Sequence, residues 1–280
     1  MSCIEMRYLG WSNILIREPQ GDLVFDPFFR KMYGAEWARK EDYGKVRVIC
    51  VSHGHHEHYM DTPAVARMTG ALVVSSPDVC EHLRRKHRLP ESQLRPVLPF
   101  DTVEVHGYRI TAFDWHHRPI SYLRFFQGSL AAAFAFVGNN ILRCPWRARY
   151  YGFAVQTQSG ASMVNLTEGM NPLFSDGELD VLRQRFRPDV LIGGHQLVYE
   201  QDVARAVRLT GVSSCVLYHP HEKLFGQMGI ASAPQEQVVA AVKAQAPDVD
   251  IRLPRPMEWI TVQTEGPCQD TAAASPEANA

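Results

Sequence analysis

The run Val51-Ser52-His53-Gly54-His55-His56-Glu57-His58 packs four imidazoles and a carboxylate into six positions, directly behind an apolar stretch at 46–51. A strand that ends in so crowded a loop is costly to bury unless something neutralises the crowding. A divalent metal does so, because neutral imidazole nitrogen and carboxylate oxygen are its ordinary ligands. Read as H-x-H-x-E-H, the run can serve two metals. His53 and His55 project together from one side of the loop, Glu57 and His58 turn to the other, and His56 points away by spacing. Behind the run, Asp61-Thr62-Pro63 is a helix start.

The remaining pattern is that of strands followed by helices, occurring roughly twice. Three short strands are expected at 4–8, 13–17 and 23–25, broken at Gly10 and Gln20-Gly21. The 28–43 segment reads as a loop with a helical turn, and 46–51 as a fully buried strand. A helix at 62–69, a strand at 71–74 and a helix at 77–87 capped by Ser76 follow. Hairpins are expected at 102–113, around His106-Gly107, and at 153–166, around Ser159-Gly160. Helices at 178–186, 199–209 and 235–245 then alternate with strands at 190–192 and 214–218. This suits the α+β class, as an αββα four-layer sandwich with helices outside two facing sheets. Residues 1–263 form one domain in this reading, and the small, polar tail 264–280 is expected to be disordered.

Composition narrows the function. With a formal net charge of −1 and no basic track, the chain carries no field that would draw nucleic acid or a membrane surface. The six cysteines, Cys3, Cys50, Cys80, Cys144, Cys215 and Cys268, include no C-x-x-C pair, so neither a zinc ribbon nor a disulfide framework is expected. The amino terminus lacks the pattern of a signal peptide. No apolar run approaches the ~20 residues that span a bilayer. These features predict a cytoplasmic enzyme with a small-molecule substrate and no integral membrane segment.

The H-x-H-x-E-H run at a strand end resembles the signature of the metallo-β-lactamase fold superfamily. The opening Tyr8-Leu9-Gly10-Trp11-Ser12-Asn13-Ile14-Leu15-Ile16, with Val24-Phe25-Asp26-Pro27-Phe28 behind it, is similar to the branch holding ascorbate-phosphate lactonases and N-acylphosphatidylethanolamine phospholipases. The resemblance runs from about Ile4 to about Glu222, with a gap in the middle.

It implies two divalent ions, zinc or else manganese or iron, holding a bridging hydroxide. His53 and His55 would bind one metal, joined by His116 or His117; Glu57 and His58 would bind the other. The family's bridging aspartate corresponds to Glu168 and its last histidine to His219, with His221 left to contact substrate. His195, beside the site in that branch, would touch substrate or donate a proton. Glu57 and Glu168 both depart from the family, which uses aspartate at each; the extra methylene adds ~1.5 Å of reach. Asp26 and Asp61 are expected to orient a ligand histidine or a loop amide.

Segment 118–151 fits the pattern least, with an apolar run at 130–137 and Arg118, Arg143, Arg147 and Arg149. A core-packed helix or hairpin, a homo-oligomer interface and a lid over a partly apolar, anionic substrate are all open. The leading function is hydrolysis of an ester, lactone or phosphodiester. A diiron oxygenase or other redox enzyme on the same fold and a catalytically inactive metal-binding scaffold are the alternatives.

Overall fold

The computed structural model describes residues 2–30, 37–118 and 130–264. Strands β1 (Ser2–Gly10), β2 (Asn13–Arg17), β3 (Asp22–Phe25), β4 (Val46–Cys50), β5 (Leu72–Ser75) and β6 (Leu94–Pro96) lie side by side in chain order in one sheet. The second sheet holds β7 (Thr102–Val105), β8 (Tyr108–Asp114), β9 (Tyr151–Gln156), β10 (Ser162–Asn165), β11 (Val190–Gly194), β12 (Ser214–Tyr218) and β13 (Asp250–Arg252), again in chain order. The chain then returns to the first sheet, where β14 (Trp259–Thr264) pairs antiparallel outside β1.

Side-chain alternation explains how the sheets face each other. Ile4, Met6 and Tyr8 of β1, Phe25 of β3 and Phe153 and Val155 of β9 meet in one buried layer, with the Phe25 and Phe153 rings 6.1 Å apart. Apart from the exposed Arg47 near its start, β4 is apolar and buried, because both of its sides are covered. Val48 and Cys50 enter the layer between the sheets, whereas Val46 and Ile49 pack under helices. Such continuous apolar runs are the mark of parallel strands buried on both faces, and β4 runs parallel to both β3 and β5.

Helices α1 (His56–Tyr59), α2 (Thr62–Thr69) and α3 (Pro77–His87) lie outside the first sheet. After α4 (Leu130–Arg143), α5 (Asp176–Phe186) and α6 (Glu200–Thr210) cover the second sheet; α7 (Glu222–Met228) follows β12, and α8 (Gln235–Gln245) completes that cover. The αββα sandwich is therefore the observed architecture. α5 begins two residues before the sequence reading because Ser175 caps it, its hydroxyl accepting from the Glu178 amide while Glu178 reaches back. The edge strands β6, β13 and β14 were not anticipated, nor was α7.

Within 118–151 the structure places a helix over 130–143, with Phe134, Ile141 and Leu142 exposed rather than packed in the core; residues 119–129 and the side chain of Phe136 lie outside the described residues, as do residues 265–280 of the tail expected at 264–280, whose first residue Thr264 ends β14. α4 grips the histidine-rich loop directly. The Asn140 side-chain oxygen accepts from the His56 amide at 2.9 Å, and Gly54 lies so close to the Pro145 carbonyl that a Cβ there would collide with it.

The Phe25–Phe153 contact joins the two sheets, so Phe153→Ala leaves a cavity at their interface. It is expected to cost ~3–5 kcal/mol, read as a lower urea midpoint with unchanged slope.

Candidate metal centre

The site forms where the parallel strands of both sheets end, the usual crevice in a sheet of this kind. Asp26 follows β3 in the left-handed region, at φ 46°. Its Oδ1 accepts from the Ser52 amide and its Oδ2 from the Ser52 hydroxyl, both at 2.7 Å. Oδ2 also lies 2.8 Å from Nδ1 of His58. The carboxylate can only accept, so that ring nitrogen donates and Nε2 of His58 turns inward. Ser52, whose hydroxyl proton goes to Asp26, accepts from Nδ1 of His53 at 2.9 Å, which turns Nε2 of His53 inward as well. Nδ1 of His117 donates to the Arg118 carbonyl at 2.6 Å, with the same result.

After β10, Thr167 takes a left-handed conformation (φ 51°) and Gly169 another (φ 110°). The turn between them drives Glu168 into the centre. Gly169 is obligatory, since a Cβ there would run into the Gly194 carbonyl at the end of β11. Two groups of ligand atoms result, each within 4.8 Å: His53, His55, His117 and Glu168 in one, Glu57, His58, Glu168 and His221 in the other. Glu168 belongs to both. Its Oε1 stands 3.1 Å from His58 Nε2 and 3.7 Å from Nε2 of both His53 and His117. His221 Nε2 is 3.9 Å from Glu57 Oε1.

The donor set fits divalent cations. Nε2 of His53 and Nδ1 of His55 face each other at 3.0 Å, a gap that an ion ~2.0–2.1 Å from each nitrogen spans. Burial, reinforced by the neighbouring imidazoles, holds His53 well below its ordinary value and His55 at about 3. Burial likewise lowers His221 to about 3, so these rings are neutral, as ligands must be. Burial would raise Glu57 and Glu168, but the surrounding imidazoles outweigh it and keep both carboxylates ionised. Burial lowers His58 too, but Asp26 and Glu168 overcome it and lift the ring to about 10. The extra proton there sits where a cation would.

The other expected residues divide. Of the neighbouring pair His116 and His117, only His117 joins the centre; His116 turns away to meet Glu178 at 2.5 Å. At the end of β12 the structure brings in the other histidine of the pair His219 and His221 than the one expected as ligand. His221, the residue at the start of α7, enters the ligand cluster, whereas His219 stays outside it, its ring against Phe225 and its Nδ1 accepting from the His221 amide. Asp61 lies away from the imidazoles: it accepts from the amides of Phe29 and Arg30 and from the Arg30 side chain. His56 points away from the cluster toward Phe28, with Nδ1 2.7 Å from Glu57 Oε2. His195 is buried beside His219, at 5.2 Å between rings, and neither ring nitrogen has a hydrogen-bond partner among the described residues. Gln196, a neutral amide without a pattern to single it out, lies against both Glu168 and His221.

Residues 12–123 match the family model of the metallo-β-lactamase superfamily. A UPF0173 metal-dependent hydrolase of Rubrobacter xylanophilus is 26% identical over 216 residues, which cover 76% of this chain and 79% of its own. Another, from Anaeromyxobacter, is 27% identical over 247 residues, covering 86% of this chain and 82% of its own. Among solved structures, a metallo hydrolase of Ignicoccus hospitalis aligns with a TM-score of 0.67 at 17% identity, over 94% of this chain and 100% of that one. An isothiocyanate hydrolase from Delia radicum gut bacteria aligns at 0.63 with 14% identity, over 93% and 99%. By motif, fold and these likenesses, the chain resembles the metallo-β-lactamase superfamily.

Two outcomes check the centre. His221→Ala should lose about one metal equivalent by elemental analysis after reconstitution, and His219→Ala should retain the wild-type content. In the metal-free chain, the raised pKa of His58 contributes stability that is complete below pH 6.5 and is lost as pH rises through about 10. The melting temperature should therefore fall across that window, and Asp26→Asn should flatten the fall.

Proposed function

We propose that the protein is a metal-dependent hydrolase with a dinuclear centre, acting on an ester, lactone or phosphodiester bond in a small, partly apolar, anionic substrate. The observation that carries this reading is the sharing of Glu168 by two buried ligand groups. His53, His55, His117 and Glu168 would hold one divalent ion; Glu57, His58, Glu168 and His221 would hold the other. When bound, such ions make water a competent nucleophile near neutral pH and polarise an acyl or phosphoryl oxygen.

The protein's own groups supply orientation and charge. Asp26, Ser52 and the Arg118 carbonyl fix the inward nitrogens of His58, His53 and His117. Arg118, buried with its guanidinium 5.1 Å from the centre of the Phe225 ring, is the cation that would meet the substrate's anionic group. Burial, with the neighbouring His219, lowers His195 to about 4. It is thus neutral near pH 7 and offers an N–H hydrogen bond rather than a cationic proton. Among the described residues no helix is long and apolar enough to cross a membrane.

Carboxylate-rich coordination also favours harder metals such as manganese or iron, and Glu57 with Glu168 keeps a redox enzyme as the second reading. Protein purified without added metal distinguishes the two. Zinc or manganese, a nearly colourless solution and hydrolysis of ester, lactone or phosphodiester substrates support hydrolysis. Two irons per chain with near-ultraviolet or visible absorption and no hydrolysis favour redox chemistry. Less than one metal per chain after reconstitution defeats both.

On α4, Phe134 is 65% and Leu142 74% exposed. If the helix contacts substrate, Phe134→Ser should raise KM roughly tenfold or more, as loss of ~1.5–3 kcal/mol of apolar contact predicts, with metal content unchanged. A shift from dimer to monomer with KM intact would instead mark the helix as a subunit interface.

A further inference from the structure

We infer that Gln196 is a positioning residue that determines which nitrogen of His221 faces the metal centre and which way the second oxygen of Glu168 is held, with Arg118 fixing its amide. The inference rests on the dinuclear reading above. Gln196 is buried at 3% exposure, immediately after His195 at the end of β11. Its Nε2 donates to Glu168 Oε2 at 3.1 Å. Its Oε1 accepts from Arg118 Nε at 3.1 Å and lies 3.2 Å from Nδ1 of His221.

The orientation of a glutamine amide has to be argued from its partners, and here both ends agree. Arg118 Nε carries a proton and no lone pair, so the atom facing it is the oxygen. The Glu168 carboxylate has no proton to give, so the atom facing it is the nitrogen. With oxygen placed opposite His221, the ring must carry its proton on Nδ1. The lone pair is then on Nε2, the nitrogen that faces Glu57. Asp26, the Ser52 hydroxyl and the Arg118 carbonyl impose the same tautomer on three other histidines. At His221 a neutral amide does so, and it engages the shared carboxylate with its other end. Arg118 thereby becomes one point where the 118–151 segment joins the centre, beside the Asn140 contact with the histidine-rich loop. Its guanidinium, lying over Phe225, is coupled through one side chain to both Glu168 and His221.

Two measurements test this. In zinc-loaded protein with 15N-labelled histidine, two-bond ring correlations should show His221 with its proton on Nδ1 and metal on Nε2, the signal assigned by its loss in His221→Gln. A proton on Nε2 would overturn the inference without any variant of Gln196 having to fold. The second measurement titrates metal-free protein with Co2+ and follows the visible ligand-field bands. Gln196→Met keeps the length of the side chain without its amide. It should weaken one of the two equivalents roughly 10- to 100-fold, the range for losing a group that orients a ligand, and change that equivalent's bands. Arg118→Met, in which Glu168 still orients the amide, should have a smaller effect. Wild-type affinities and bands for both equivalents in Gln196→Met would overturn the role of Gln196 and leave the dinuclear reading standing. Fewer than two equivalents in the wild type would overturn that reading and this inference with it.

Discussion

The structure turns on burying the Glu168 carboxylate. An ionised carboxylate in a protein interior costs several kcal/mol unless opposite charge and hydrogen bonds surround it closely, and here those partners come from four separate chain segments. His53 and His58 follow β4, His117 follows β8, Gln196 follows β11 and His221 follows β12. No single segment could neutralise the charge alone. Alignment of the strand ends at one rim of the sandwich is therefore a requirement of the electrostatics as much as of topology. The left-handed Thr167 and Gly169, with Gly194 pressed against them, show local backbone strain accepted so that one side chain can reach the rim.

The two glutamates sit in different mechanical settings. Glu57 belongs to the single turn α1, which starts at His56 and turns that ring toward Phe28, leaving Glu57 and His58 to face inward. Glu168 stands on a rigid turn between two strand ends. A lengthened arm on a short helix can adjust by sliding; one on a glycine-locked turn cannot. Any displacement of an ion caused by the longer arms would thus be taken up mainly on the α1 side.

Much of this was legible in the sequence, because apolar runs and crowded polar residues leave strong signals. The H-x-H-x-E-H run and the strand before it, with Glu168 supplied by the resemblance, pointed to residues that the structure brings together, and the strands-then-helices order pointed to the sandwich. Other features were hidden for identifiable reasons. His219 and His221 are two apart behind the same strand, and pattern alone cannot tell which ring the turn at Pro220 directs inward. The choice between His116 and His117 depended on Glu178, a partner from α5. Gln196 is a neutral amide whose importance lies wholly in what surrounds it. The edge strands β6 and β13 have three residues each, too few for alternation to register.

The pairing of β14 with β1 has a kinetic meaning. Ser2 lies opposite Thr264 in this ladder, so nearly all of the chain between them must be made before the pair can close. A ribosome-bound intermediate could have β1 to β6 in place and still present β1 as an open edge. Its unsatisfied amides and carbonyls are a template for strands of other molecules, and contacts so distant in sequence form slowly. β1 is thus among the last strands of its sheet to be paired on both sides.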